Sequence, residues 1–590
     1  MDIRTVRRAA ELLSRLSGRR QEVAVLPMRV QKAPFPDGPA DALPRAVPES
    51  VGIQSGYLQE FLKQAAADKT ENLHSLTVLR HGKVIAACSF APFDRDVWHV
   101  THSLCKTVTG LCAGILIGDG LLSPDERVVD LFPETASPLA RIRWRGLLVR
   151  HLLNMTSGAS LNEVASVTQM DWVRGFLDST PQFEPGREFQ YNSMNSYMLS
   201  AIICKKTGKT LTEFLEARLF GPMGIRNFHW ETCPLGIEKG GWGLYLKQED
   251  MAKLGLLVLR RGEWAGRALV PADYIGEMSR RQSEPPESMS DYGYGFQCWL
   301  WARPGSVLFN GLFGQNILVI PELDMVIASN AGGNRMFGKS SYLSLCERYF
   351  GAGVRLPDRC PPDPRAYRRL CRTVRQLEAG ALPEKGVFSF LERLRQQRLR
   401  ETHSAAVAGR RYVFEPGAAR LLPLFVQLLE NNYTTGISAV CFSCEAKQLY
   451  ITFEEGEERN TLEVGFSAAA RGKVCANGEE QLVAVSGVWT QNEDGVPVLK
   501  LDIAFLEQAS TRHIKLFFDA EETVRMRITE TPSKQALQDG AAAIFGGNRL
   551  LGAFSGAVDG KARMEAWLSA LAEPELTGRL EREEEKRGAK

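Results

Sequence analysis

Apolar and polar positions along this chain fall into two textures. Between about Ser50 and Arg355, strand-like runs flank a long block of Leu-rich segments. His74-Ser-Leu-Thr-Val-Leu-Arg80 and Val84-Ile-Ala-Ala-Cys-Ser-Phe90 read as two strands joined at Arg80-His-Gly-Lys83, a hairpin turn. Leu111-Cys-Ala-Gly-Ile-Leu-Ile-Gly118 is small, apolar and free of breakers, so a buried helix is expected to start near Ser103. Helical segments with Pro and Gly punctuation follow to about Pro234, and strands return at 293–300, 316–320 and 325–329. Two strands, a helical block and three more strands predict an α/β (α+β) domain: an antiparallel sheet flanked by helices, with a helical insertion.

Beyond a polar, Pro- and Arg-rich passage the texture changes. The runs 448–453, 461–466, 498–505, 513–518 and 523–529 alternate polar with apolar and are separated by turn residues. That pattern predicts a separate C-terminal all-β domain, a sandwich or a barrel. The resulting scheme has an N-terminal amphipathic helix and Pro-rich linker at 1–48 and a first domain at 49–355. A helical connector covers 356–405, the β-rich domain 406–575 and a charged tail 576–590, with a further helix expected around 562–571.

Composition narrows the picture. At 590 residues the chain is too long for one ordinary core. Apolar residues at 44% and charged residues at 24% are those of a globular protein. A net charge of +3, dispersed along the chain, argues against a nucleic-acid partner. No run approaches the roughly 18 uninterrupted apolar residues of a membrane span. The first residues show no signal-peptide core, and the 12 cysteines show no framework spacing, so a cytoplasmic location is expected. Cys441-Phe-Ser-Cys444 lacks a second pair and is a poor zinc candidate. No His-Glu-x-x-His, P-loop or Gly-x-Ser-x-Gly pattern occurs, and neither metal nor cofactor is expected.

The candidate chemistry begins at Ser103 and Lys106, the only Ser-x-x-Lys pair in the chain. On a helix, positions i and i+3 share a face, so an amine would lie beside a hydroxyl where backbone N–H groups are also free. A serine hydroxyl is a weak nucleophile until a neighbouring base activates it, and a buried lysine can be that base. The alternative is an ordinary helix start with a solvated lysine. Tyr191 stands where a Pro-Gly turn meets an apolar helix; it is either a proton carrier facing a cleft or a corner filler. Phe309-Asn-Gly-Leu-Phe-Gly-Gln-Asn316 opens a strand with glycines that allow close approach, or is a plain turn. His102, one residue away on a different helical face, is expected to serve as packing or cleft lining rather than as the base, and Cys105 to turn from the site as an inert core thiol. Trp242 and Tyr294 are either cleft-lining or structural.

In this order, the three elements resemble the β-lactamase-like serine hydrolases: class C β-lactamases, D-Ala-D-Ala carboxypeptidases and related esterases. Arg150-His-Leu-Leu-Asn-Met-Thr-Ser-Gly158 and Phe220-Gly-Pro-Met-Gly-Ile225 resemble the same family, and the likeness covers about 45–335. It implies a β-lactamase/transpeptidase-like fold, with Ser103 as acylated nucleophile, Lys106 as activating base and Tyr191 as second proton carrier. The assignment of the serine proton to Lys106 or Tyr191 stays open. The oxyanion hole would be the amides of Ser103 and Leu312, next to Asn310 and Gly311.

Two departures bear on substrate. Where the family has Tyr-x-Asn, this chain has Tyr191-Asn192-Ser193, and where the third motif starts with Lys or His, it has Phe309-Asn310. Losing that cation weakens the case for an anionic β-lactam or peptide carboxylate. The expected substrate is a small ester or amide, handled through an acyl-enzyme. The rival expectation is a penicillin-recognising fold kept for binding or scaffolding. The β domain would roof the cleft, mediate homo-oligomer formation or bind its own ligand.

Overall fold

Strand and helix formation in the first unit follows from which residues must be buried on two faces at once. The computed structural model describes residues 42–166, 169–334, 340–380, 388–415, 417, 419–545 and 569–581. Two units divide it, the first ending at Ala379 and the second beginning at Gly380. The connector expected at 356–405 is therefore split: the helix Pro364–Glu378 lies in the first unit and Phe388–Val407 in the second. The N-terminal helix, most of the Pro-rich stretch and the start of the helix expected around 562–571 lie outside the described residues.

The first unit has a six-stranded antiparallel sheet. Its strands are β1 (Leu73–Arg80), β2 (Lys83–Ser89), β3 (Trp299–Leu300), β4 (Val307–Gly311), β5 (Gln315–Ile320) and β6 (Met325–Ala331), in the order β2-β1-β6-β5-β4-β3. Side chains alternate across a strand, and β5 shows the result. Ile317 and Val319 join a core with α2 (Cys105–Gly118), α3 (Ser193–Thr207) and α4 (Gln248–Leu259). Leu318 and Ile320 join another with α1 (Ser55–Ala67), α5 (Ser341–Phe350) and α6 (Pro364–Glu378). Both faces are covered, which is why β5 and β6 read as continuous apolar runs. Each fully buried Leu or Ile contributes about 1.5–3 kcal/mol of transfer free energy.

The expected strand at 293–300 is confined to Trp299–Leu300. Gln297 has a left-handed φ of 57° and turns the chain inward. Its Nε2 donates to the carbonyls of Leu152 and Leu153, and its Oε1 accepts from Ser196 Oγ. A buried amide thus pins the turn to two helices, and the apolar texture around it conceals that. The helical insertion between β2 and β3 carries α2, α3 and α4. Helix α2 is buried on all sides as far as Leu116, matching its lack of a polar face.

The second unit has a ten-stranded antiparallel sheet. Its strands are β7 (Arg411–Val413), β8 (Ile437–Glu445), β9 (Gln448–Glu455), β10 (Glu458–Glu463), β11 (Ala470–Ala476), β12 (Glu479–Gln491), β13 (Pro497–Phe505), β14 (Thr511–Ala520), β15 (Thr523–Thr531) and β16 (Glu575–Leu580). They follow the order β10-β9-β8-β7-β16-β15-β14-β13-β12-β11. A side chain bridges the two end strands: Asn460 accepts from the Cys475 amide at 2.7 Å and donates to its carbonyl at 2.9 Å. The sheet is thereby nearly closed around Tyr412, Phe442, Phe453 and Phe505.

Residues 576–580, expected in the charged tail, instead complete β16 between β7 and β15. Leu576 and Leu580 pack against the core while Arg579 is exposed, an alternation the neighbouring charges mask. Residues 582–590 of that tail lie outside the described residues. Cys441 and Cys444 are three apart on β8, so they point to opposite faces, and both are free.

Candidate active site

A single turn of 3₁₀ helix, His102–Leu104, feeds directly into α2 and carries Ser103. Lys106, one turn on, is 1% exposed. Its Nζ donates to Ser103 Oγ at 2.6 Å and to the Gly241 carbonyl at 2.8 Å. Both acceptors are neutral oxygens, and Lys106 makes no ion pair among the described residues. The i, i+3 spacing therefore yields the hydroxyl–amine contact, and the solvated-lysine alternative does not hold.

Tyr191 presents its ring to that amine: Lys106 Nζ lies 4.9 Å from the ring centroid. The phenol stacks on Trp299 at 5.4 Å and meets Tyr294 edge-on at 6.3 Å. Its hydroxyl makes no hydrogen bond among the described residues. Asn192, expected near the substrate, is instead the N-cap of α3. Its Oδ1 accepts from the Met194 amide and its Nδ2 donates to the carbonyls of Ala159 and Leu161. Ser193 is buried at the first turn of α3, where its amide donates to Glu163. Neither lines the cleft beside Ser103.

Strand β4 comes against the Ser103 turn at Gly311. A Cβ there would stand 2.2 Å from the Thr101 carbonyl oxygen and 3.2 Å from the Leu104 nitrogen, so only glycine allows the approach. Leu312 follows in a tight turn, Leu312–Gly314, with Phe313 at φ 66°. On the facing segment His102 has φ 47°, and its ring meets Phe313 edge-on at 5.5 Å. Two non-glycine residues thus hold left-handed conformations beside the two amides expected to bind an oxyanion. Such strain costs on the order of 1–3 kcal/mol per residue and clusters at functional sites. Asn310, standing where the family has a cation, donates to Asn316 Oδ1 at 2.8 Å.

His102 is buried, and its Nε2 has no hydrogen-bond partner among the described residues. Burial, aided by the nearby His99 and Lys106, lowers its pKa to about 3. It packs rather than lines the cleft. Cys105 is fully buried, and burial pushes its thiol up to about 12.

Ser103, Tyr191, Asn310, Gly311 and Leu312 share a cleft of about 200 Å³. Trp299, Glu71 and Glu347 also line it, and none was singled out from the sequence. Trp299 lay within a run read as strand, so its neighbours offered a signal. The two carboxylates come from opposite ends of the unit's sequence and offered none. Glu71 accepts from Ser340 Oγ and Ser341 Oγ at the start of α5, and Tyr292 donates to Glu347 at 3.0 Å. Trp242 stacks on Trp172 and Tyr294 backs Tyr191, so both are structural.

Known proteins share this arrangement's sequence background. Residues 61–336 match the family model described as Beta-lactamase. The 6-aminohexanoate-dimer hydrolase of Paenarthrobacter ureafaciens is 25% identical over 333 residues, covering 51% of this chain and 81% of that protein. The beta-lactamase of Escherichia coli (strain K12) is 26% identical over 155 residues, covering 26% of this chain and 40% of that protein. Among solved structures, the octameric penicillin-binding protein homologue from Pyrococcus abyssi aligns with a TM-score of 0.39 at 18% identity, over 76% of this chain and 98% of that one.

Proposed function

We propose that the chain, whose residues 61–336 match the Beta-lactamase family model, is a serine hydrolase acting on a small ester or amide through an acyl-enzyme on Ser103. One observation carries the reading: a buried amine 2.6 Å from a hydroxyl that opens into a cleft.

Ser103 Oγ attacks the substrate carbonyl while its proton passes to the Lys106 amine, which the Gly241 carbonyl holds from the other side. The new C–O bond turns the carbonyl oxygen into an oxyanion, received by the amides of Ser103 and Leu312. Each such donor is typically worth about 3–4 kcal/mol in the transition state. Collapse expels the alcohol or amine, which takes a proton from the Lys106–Tyr191 pair. Water then attacks the acyl-Ser103 ester, releasing the acid and restoring the hydroxyl. Lys106 Nζ lies over the Tyr191 ring, and Tyr191 lines the same cleft as Ser103. This geometry favours Lys106 as the acylation base and Tyr191 as the later proton donor.

The printed name of one relative, a hydrolase of 6-aminohexanoate dimer, is compatible with a small amide. Asn310, which donates to Asn316, offers no positive charge to an anionic β-lactam. Turnover of a p-nitrophenyl ester series tests the proposal. Activity abolished in Ser103→Ala is expected; equal turnover by that variant contradicts it.

A further inference from the structure

The base of the proposed reaction is held by the Gly241 carbonyl, and the segment that carries it is anchored two residues earlier, at Lys239. A hairpin runs from Glu231 to Gly243, with the Glu231 amide donating to the Gly243 carbonyl and the Lys239 amide to the Glu231 carbonyl, each at 2.9 Å. Its returning arm lies along α2. The Gly240 carbonyl accepts from Thr109 Oγ1 at 2.7 Å and the Gly241 carbonyl from Lys106 Nζ at 2.8 Å. On the other side it abuts α3: a Cβ on Gly241 would stand 2.8 Å from the Ser193 carbonyl oxygen. A shift of this arm in either direction therefore moves the acceptor that orients the Lys106 amine.

The arm is fixed by an ion pair between Lys239 and Glu231, whose side chains are 0% and 2% exposed. Tyr245 also donates to Glu231, at 3.3 Å, and Lys239 Nζ lies 5.4 Å from the Trp242 ring centroid. A pair this deep is a poor device for stability, because desolvation offsets most of the mutual attraction. What it supplies is a directional tie between the two arms, immediately before the two glycine carbonyls that meet α2.

We infer that Lys239 and Glu231 are positioning residues for Lys106: their buried ion pair sets the Gly241 carbonyl, and through it the placement of the amine against Ser103. The inference rests on the proposed role of Lys106. Displacing a base by about 1 Å through a remote change can cost on the order of 10²-fold in rate.

The test is the rate of Ser103 modification by a fluorophosphonate, a reading of nucleophile activation that needs no known substrate. In Glu231→Gln/Lys239→Met both charges are removed together, which avoids leaving one buried and unpaired. Its labelling rate is expected to fall on the order of 10²-fold, with KM for a p-nitrophenyl ester within about twofold of wild type. Glu231→Asp, keeping the charge, recovers part of the rate. A double variant that is folded by circular dichroism and labels at the wild-type rate overturns the inference. If the double variant does not fold, Thr109→Val, which loosens the same arm from α2, is expected to slow labelling several-fold, and an unchanged rate there overturns it equally. A wild-type protein that never labels at Ser103 refutes the proposed function instead.

Discussion

The amine of Lys106 sits between two oxygens, 2.6 Å from Ser103 Oγ and 2.8 Å from the Gly241 carbonyl. One contact is with the proposed nucleophile and the other with rigid backbone, which restricts the amine to one line of approach. Replacing Lys106 by Met keeps the bulk and removes the base. For a p-nitrophenyl ester, kcat/KM is expected to fall about 10²–10⁴-fold. Steady-state kinetics on folded Lys106→Met checks this, and a loss confined to KM would contradict it.

Tyr191 separates packing from chemistry. Its ring stacks on Trp299 and covers the Lys106 amine, and Phe preserves both contacts. Tyr191→Phe is expected to leave KM and the melting temperature near wild type while lowering kcat about 10²-fold or more. Chemical denaturation alongside the kinetics distinguishes the two effects.

Gly311 joins β4 to the Ser103 turn. In Gly311→Ala the new methyl meets the Thr101 carbonyl oxygen at 2.2 Å. Overpacking of this kind costs about 1–3 kcal/mol. Pushing β4 outward also carries the Leu312 amide away, so activity is expected to fall about 10²–10³-fold, the loss seen when one oxyanion donor is removed. Urea unfolding and ester turnover together measure both.

Stability should respond to acid through buried histidines. Burial lowers the pKa of His102 to about 3, and burial together with His99 holds His74 well below the ordinary 6.5. A lowered base pKa means the unfolded chain takes up the proton first, so stability is full above about pH 6.5 and declines as pH drops below it. Each such histidine contributes a slope of about 1.4 kcal/mol per pH unit, for His102 down to about pH 3. Asn tolerates the left-handed φ of His102, so His102→Asn is expected to reduce the slope by one proton. Denaturant unfolding at several pH values between 7 and 4 measures it, and an unchanged slope contradicts the assignment.

Much of this was legible in the sequence, for physical reasons. Helical spacing placed Ser103 and Lys106 on one face, and burial of the amine decided between contact and a solvated lysine. Strands β1, β2, β5 and β6 follow from apolar runs whose two faces meet different helical layers. What stayed hidden depends on backbone conformation and on distant partners. The left-handed Gln297 broke an apparent strand, and Asn192 became a cap because its side chain found two backbone carbonyls from another loop. The Gly241 carbonyl, which leaves no side-chain signature, became the second holder of Lys106. In the second unit, β16 hid behind the charges of residues 579–581, although its alternation with Leu576 and Leu580 was present.

Mass mapping after fluorophosphonate treatment tests the central claim most directly. One phosphonyl adduct is expected, on the tryptic peptide containing Ser103, and none on that peptide in Ser103→Ala. An adduct on any other residue with Ser103 untouched, or no adduct under conditions that label other serine hydrolases, would contradict it.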